Sequence, residues 1–439
     1  MKRMKVFLVL LAAALLLAGC GLLTVDELYA VPQRSEEYQN LQIVIQNAMV
    51  GMEYSAPLSG ENQQTVQIAD LEGDQVPEYL LFAKSTMDSS LKVLIFGRIG
   101  DDFFHRETIS FSGASFDRVE YVRMDEHDGF ELVVGRKLND QVMRSVAVYS
   151  FAKGNAELLV STSYSEFIMQ DLDADRQSEL FLLRAGEQEQ AHGIAELYDI
   201  KNGILERSVE APMSAPIQQL KRVIVGKLHD GIPAVYTACT VGDNGMITDA
   251  YALVNDKLVN VTISNESGTG IQTLRNYYVY AEDIDDDGIV ELPDLINMHT
   301  LPDDPAPTDQ YIVRWYAMTS AGAEVEKRFT YHNFVGGWYL NLIPSWAPRT
   351  LVCQTGNSFS FYVWNEDFTE NEKILTIHVL TGNDREEQAQ QDNRFVLYKT
   401  DTTVYCASNE IVSANYSMTR DDIINAFSLI HQDWKTGET

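Results

Sequence analysis

Carboxylates recur in this chain at a spacing suited to gripping a hard cation. Three nine-residue segments carry acids at positions 1, 3, 5 and 9: Asp70, Glu72, Asp74 and Glu78; Asp171, Asp173, Asp175 and Glu179; Asp283, Asp285, Asp287 and Glu291. Ca²⁺ takes about six to eight oxygens, and a tight turn with acids at alternate positions aims several of them inward. Such carboxylates repel one another without a counter-ion, so a bound ion would rigidify the turn and contribute to folding. The chemistry implied is structural; no water-activating open site follows from the pattern.

The spacing sets the elements that must position these acids. Asp70 to Asp171 is 101 residues and Asp171 to Asp283 is 112, each about two periods of a roughly 50-residue repeat. Degenerate copies stand midway, at Arg123–Glu131 and around Lys227–Ile232. Strand-like runs flank the copies, as in Thr65–Ile68 before the first and Tyr79–Phe82 after it, or Tyr277–Tyr280 before the last. Strand, acidic loop, strand at a fixed period predicts a radial β array. The expectation is a mainly β chain: a β-propeller of about five four-stranded blades over 64–345, or six or seven if the ends add unmarked ones.

The ends read differently. Lys2, Arg3 and Lys5 precede an apolar stretch, Val6–Leu17, too short to span a bilayer comfortably, which closes in Leu17-Ala18-Gly19-Cys20. This predicts a leader over 1–19 and a tether over 20–35. Residues 36–63 would hold a helix near 36–50, with Glu36 and Glu37 in its first turn, and a lead-in. The tail, 346–439, carries no acidic nonapeptide. It reads as a small α+β domain with a closing helix, capped by Thr419 and Asp422 and striped by Ile423, Ala426, Phe427, Ile430 and Trp434. Cys353 and Cys406, each in a strand-like run, are the one plausible disulfide pair among the three cysteines beyond Cys20.

Charge narrows the partners. The chain has a net charge of −31, and −34 without its basic leader, which excludes nucleic acid and suits divalent cations or cationic partners.

The nonapeptides resemble the calcium loops of FG-GAP and VCBS-type repeats, found in integrin-like β-propellers and bacterial surface proteins. The resemblance implies side-chain ligands from positions 1, 3, 5 and 9 and a carbonyl from position 7, here Val76, Gln177 and Ile289. Gly288 keeps the family's glycine at position 6, whereas Gln75 and Arg176 replace it. This makes 283–291 the best loop on sequence. Arg123, at the first ligand position of the second copy, reads as a stand-in for the ion. Two other readings of the loops stand beside this one: Asx-turns that hold only their own backbone, and EF-hands, which need flanking helices. Leu17–Cys20 resembles the lipobox of bacterial lipoproteins, which implies lipidation at Cys20 and a position on the extracytoplasmic face of the membrane.

No nucleophile elbow, phosphate loop or zinc-type His/Cys cluster is present. Three classes of function therefore compete. The leading one is a lipid-anchored, non-enzymatic module that binds a protein or glycan or acts as a scaffold. The others are an envelope polysaccharide hydrolase or lyase using the propeller channel, and a transporter solute-binding lipoprotein. The last expects a two-lobed parallel α/β core.

Overall fold

The computed structural model describes residues 36–430, apart from 101, 140–142, 187–191, 202, 244, 264–269, 277–278, 300–310, 392 and 410–417. The leader, Cys20, the tether and Trp434 lie outside the described residues. No helix among the described residues is long and apolar enough to cross a membrane.

After helix α1 (Glu36–Ala48), the described residues are organised into six antiparallel sheets. The first holds β1 (Met52–Tyr54), β2 (Val66–Ala69), β3 (Glu78–Ser85), β4 (Leu91–Ile99) and β5 (Asp102–Phe111). The second is the meander β6 (Ser115–Val122), β7 (Glu131–Lys137), β8 (Arg144–Ser150) and β9 (Glu157–Tyr164). The third repeats it with β10 (Glu166–Gln170), β11 (Glu179–Arg184), β12 (Ile194–Lys201) and β13 (Ile204–Pro212). The fourth does so with β14 (Leu220–Lys227), β15 (Pro233–Val241), β16 (Gly245–Val254) and β17 (Lys257–Asn260). The fifth runs β18 (Glu291–Asn297), β19 (Tyr311–Met318), β20 (Glu324–Asn333) and β21 (Trp338–Leu342). The sixth comprises β22 (Thr350–Thr355), β23 (Ser358–Trp364), β24 (Asn371–Thr381), β25 (Phe395–Lys399) and β26 (Thr403–Asn409), with the short helix α2 (Arg385–Gln388) inserted. Helix α3 (Arg420–Ala426) leads into β27 (Phe427–Leu429), which pairs with β21.

The packing explains why the central strands read as unbroken apolar runs rather than alternating ones. On β11, Leu180 and Leu182 enter a core shared with the second sheet, while Phe181 and Leu183 enter one shared with the fourth. On β3, Leu80 and Phe82 pack towards the second sheet, and Leu81 and Ala83 towards Val44, Ile45 and Ala48 of α1. A strand buried on both faces has no polar side to show. Each fully buried leucine or phenylalanine contributes about 1.5–3 kcal/mol. The fourth and fifth sheets share a further core around Tyr236, Leu292 and Tyr316.

The tail departs from the expected separate α+β unit. Its strands form the sixth sheet, and one core joins Tyr331, Trp338 and Leu340 of the fifth sheet to Phe359, Phe361 and Ile377 of the sixth. Register places Ile312 and Tyr316 on one face of β19, so the fourth and sixth sheets cover different ends of the same face of the fifth. The capping box at Thr419 and Asp422 forms, but the helix stops at Ala426. Phe427 then enters the strand that completes the edge of β21, because an unpaired edge offers the backbone more than another helical turn. Cys353 on β22 and Cys406 on β26 are not joined by a disulfide. They sit three strands apart in the order β22-β23-β24-β26, about 14 Å at the usual strand spacing, which excludes a bridge. The antiparallel sheets also exclude the two-lobed parallel core expected of a solute-binding protein.

Candidate metal centre

The nonapeptides at 70–78, 123–131 and 171–179 each link two strands. The loop 283–291 follows only an isolated bridge at Glu282, so the strand expected just before it is not formed at Val279 and Tyr280. In all four copies the position-9 glutamate opens the following strand. Glu78, Glu131, Glu179 and Glu291 begin β3, β7, β11 and β18, and all four are buried. Each accepts a hydrogen bond from the backbone N–H of position 2: Leu71 (2.9 Å), Met124 (2.9 Å), Leu172 (2.7 Å) and Ile284 (3.1 Å). The position-2 side chain is itself buried in every copy, including Leu228 of the eroded fourth. An apolar plug and a glutamate latch thus fix the loop even where the other acids are lost. The sequence pattern contained this signal in the recurring Leu, Met or Ile after position 1.

The remaining acids organise the turn. Asp70, Asp171 and Asp283 accept from the position-6 N–H of Gln75 (2.9 Å), Arg176 (2.9 Å) and Gly288 (2.7 Å). Asp74, Asp175 and Asp287 accept from the position-7 N–H of Val76 (2.8 Å), Gln177 (2.7 Å) and Ile289 (2.8 Å). Position 6 is left-handed throughout, at φ 68° for Gln75, 78° for Arg176 and 82° for Gly288. The conformation that glycine favours is therefore imposed on Gln75 and Arg176 by these hydrogen bonds. The loops also dock in series: Phe130 N–H donates to the Asp70 carbonyl (3.1 Å) and Ser178 N–H to the Arg123 carbonyl (2.7 Å).

What separates the loops is the cation each one already has. In 70–78, Arg106 of β5 pairs with Glu72 and reaches Glu78 at 3.4 Å. In 283–291, Lys327 of β20 lies 2.9 Å from Asp287 and 3.8 Å from Glu291, and Arg328 lies 3.1 Å from Asp285. In 123–131, Arg123 is not the stand-in that the sequence suggested. Its guanidinium donates to the Asp128 carbonyl (3.2 Å) and sits 5.5 Å from the Phe130 ring centre. Asp125, His127 and Glu131 still offer ligand atoms within 4.8 Å of one another, although His127 Nδ1 is taken by the Gly129 N–H at 3.1 Å.

Only 171–179 gathers all four carboxylates. Asp171, Asp173, Asp175 and Glu179 place ligand oxygens within 4.8 Å of one another, and among the described residues no lysine or arginine pairs with any of them. Asp171 Oδ1 is buried and has no hydrogen-bond partner. Burial, aided by the charges of Asp173 and Asp171 and opposed by the Leu172 N–H, pushes the Glu179 carboxyl up to about 8. Burial likewise raises Asp173, with Asp175 and Asp171 adding to it. An orphaned buried oxygen among four crowded carboxylates fits a hard cation. In 283–291, which the sequence places first, Asp283, Asp285 and Glu291 also offer ligand atoms within 4.8 Å of one another, but Lys327 and Arg328 already pair with Asp287 and Asp285.

Arg106 gives a direct check on this account. Arg106→Gln leaves Glu72 and buried Glu78 without their cation, and is expected to cost about 1–3 kcal/mol in chemical denaturation. Added calcium is expected to restore part of that loss in the variant. No calcium response in the variant would show that this loop cannot take the ion.

No family model matches this chain, and no curated protein matches it. Among solved structures it aligns with the exotype rhamnogalacturonan lyase YesX at 12% identity and a TM-score of 0.31, over 74% of this chain and 65% of that one. It aligns with the Bacillus licheniformis rhamnogalacturonan lyase PL11 at 11% identity and a TM-score of 0.31, over 73% and 72% of the two chains. With Sqt1 from Chaetomium thermophilum the values are 8% and 0.32, over 70% and 72%. The chain thus spans just under two thirds of the first of these proteins, and no site residue is transferred from any of them.

Proposed function

We propose that this chain is a lipid-anchored extracytoplasmic binding module whose sheets are arranged as propeller blades and tied by calcium at 171–179. The observation that carries the reading is the cluster of Asp171, Asp173, Asp175 and Glu179, with an unpartnered buried oxygen and no neighbouring cation. Calcium there would hold the turn that enters β11, and with it the docking of Ser178 on the second sheet's loop. In the other two full loops, Arg106 or Lys327 and Arg328 take over that task. The repeated plug-and-latch loops support the blade reading, as does the sharing of cores across opposite faces of the second, third and fourth sheets. The fifth sheet meets the fourth and the sixth on one face. Anchoring rests on the sequence alone, on Leu17–Cys20 and its basic, apolar lead-in.

Two measurements test the proposal. Calcium titration of the wild-type chain is expected to give one ion per chain, and Asp173→Ala none; three ions per chain would refute the distinction between the loops. Cys20→Ser is expected to release the protein from the detergent phase or leave it unprocessed, since stable anchoring takes about two acyl chains. Unchanged partitioning of that variant would overturn the anchor.

A further inference from the structure

The leading strands of the second, third and fourth sheets, β6, β10 and β14, line one cavity of about 700 Å³ with the lead-in residues Leu58–Gly60. Its charge runs against the rest of the molecule. Acids outnumber bases 64 to 33 in the chain, yet five basic side chains line this cavity against two acidic ones.

The bases are incompletely matched. Lys137 comes no nearer than 3.8 Å to Asp117, and Arg144 stands 3.6 Å from Asp117 and 3.8 Å from Glu166, beyond hydrogen-bond reach. Asp117 is already committed to the Tyr164 hydroxyl, which donates to it at 2.6 Å. Arg118 is held by Glu120 at 2.9 Å, and Arg222 by Glu282 at 2.7 Å. Lys221 is exposed at the rim and has no ion pair among the described residues. Counting Glu120 and Glu282 with the two lining acids leaves five cations against four carboxylates, a surplus of one.

That surplus fits a singly charged anion, and the volume is that of an ordinary small-ligand site. Arg144 donates Nη1 to the Ser165 carbonyl at 3.4 Å, and its other donors, with those of Lys137, remain for a planar oxyanion. On β6 the Asp117 and Val119 carbonyls already accept from Leu58, Ser59 and Asn62, and on β10 the Phe167 carbonyl accepts from Arg118. Edge backbone groups suited to hydroxyls therefore come chiefly from β14. We propose that the cavity binds a carboxylate carried on a polar, hydroxylated body, supplied either by a uronate-bearing glycan or by a free hydroxy acid. This deepens the binding-module reading and rests on it, while standing apart from the calcium loops.

The test is calorimetric titration of the full chain, calcium-loaded, with a disaccharide bearing one uronate, with its neutral methyl ester, and with gluconate. The uronate disaccharide is expected to bind about tenfold or more tightly than the ester, the margin of one charge-assisted contact. Binding of the disaccharide alone assigns a glycan ligand, and equal binding of gluconate assigns a free acid. Arg144→Gln and Lys221→Ala are each expected to weaken binding several-fold. Lys221 is a rim side chain, so its variant keeps the wild-type melting curve and separates lost recognition from lost folding. Equal affinity for acid and ester, no binding of either carboxylate, or full affinity in both variants would overturn the proposal. A normal chelator response of the melting curve alongside any of these would confine the failure to the cavity.

Discussion

Chelation is expected to lower the melting midpoint of the wild-type chain, and Asp173→Ala to abolish that response. At one hundred times the dissociation constant a single bound ion adds about 2.7 kcal/mol. The constant itself is expected to be on the order of 10⁻⁴–10⁻³ M, as in extracellular modules. Asp285→Ala, in the loop with the better sequence match, is expected to leave the response intact. Its partner is Arg328 at 3.1 Å, so that change acts on chelator-independent stability. Asp125→Ala is expected to leave it intact as well.

The calcium increment should also vary with pH in a definite sense. The Glu179 carboxyl rises from an ordinary 4.5 to about 8 in the ion-free fold, so the folded state binds more protons than the unfolded one between those values. Ion-free stability therefore falls as pH rises through this window. Calcium binds the deprotonated cluster, so its contribution grows over the same window. A wild-type midpoint unmoved by chelator at pH 8 would show that 171–179 is a self-satisfied turn.

Trp338→Ala is expected to be the most damaging single substitution in the C-terminal part, costing about 3–5 kcal/mol. Trp338 is fully buried on β21, stacked on Phe427 at 5.7 Å and meeting Phe359 edge-on at 5.3 Å. Those two rings belong to β27 and β23, so one side chain ties the fifth sheet to the sixth and to the returning C-terminal strand. Hydrogen exchange should speed up first in β22–β26 and β27, with the first three sheets protected as before. Uniform loss of protection through all six sheets would show instead that the array unfolds as one unit. Unchanged protection of β22–β26 would mean that the two sheets do not depend on this core.

Much of the architecture follows from local chemistry. Apolar runs such as Leu180–Leu183, bounded by acidic turns, have one stable use, as strands covered on both faces, and their period gave the repeated sheets over 64–345. The acids at positions 1, 5 and 9 needed only neighbours within the nonapeptide to shape the turn, so their alternation was legible. Thr419 and Asp422 announced a helix start for the same reason.

Other features depend on residues distant in sequence. Arg106 meets Glu72 across 34 positions, and Lys327 meets Asp287 across 40, because strand pairing and loop docking bring them together. No spacing rule reveals such pairs, and they decide which loop already has a cation beside its carboxylates. The end of α3 was likewise set by the unpaired edge of β21 rather than by the apolar stripe through Ile423 and Phe427. The cationic cavity arises only when β6 and β14 converge, bringing Arg118, Lys221 and Arg222, with Lys137 from the end of β7 and Arg144 from the start of β8. Sequence by itself therefore determined the strands, the turns and the type of ligand each loop can offer, since these rest on contacts within a few residues. Tertiary structure decided which carboxylates remain uncompensated and where positive charge collects, because electrostatic balance is a sum over groups that only folding brings within a few ångströms.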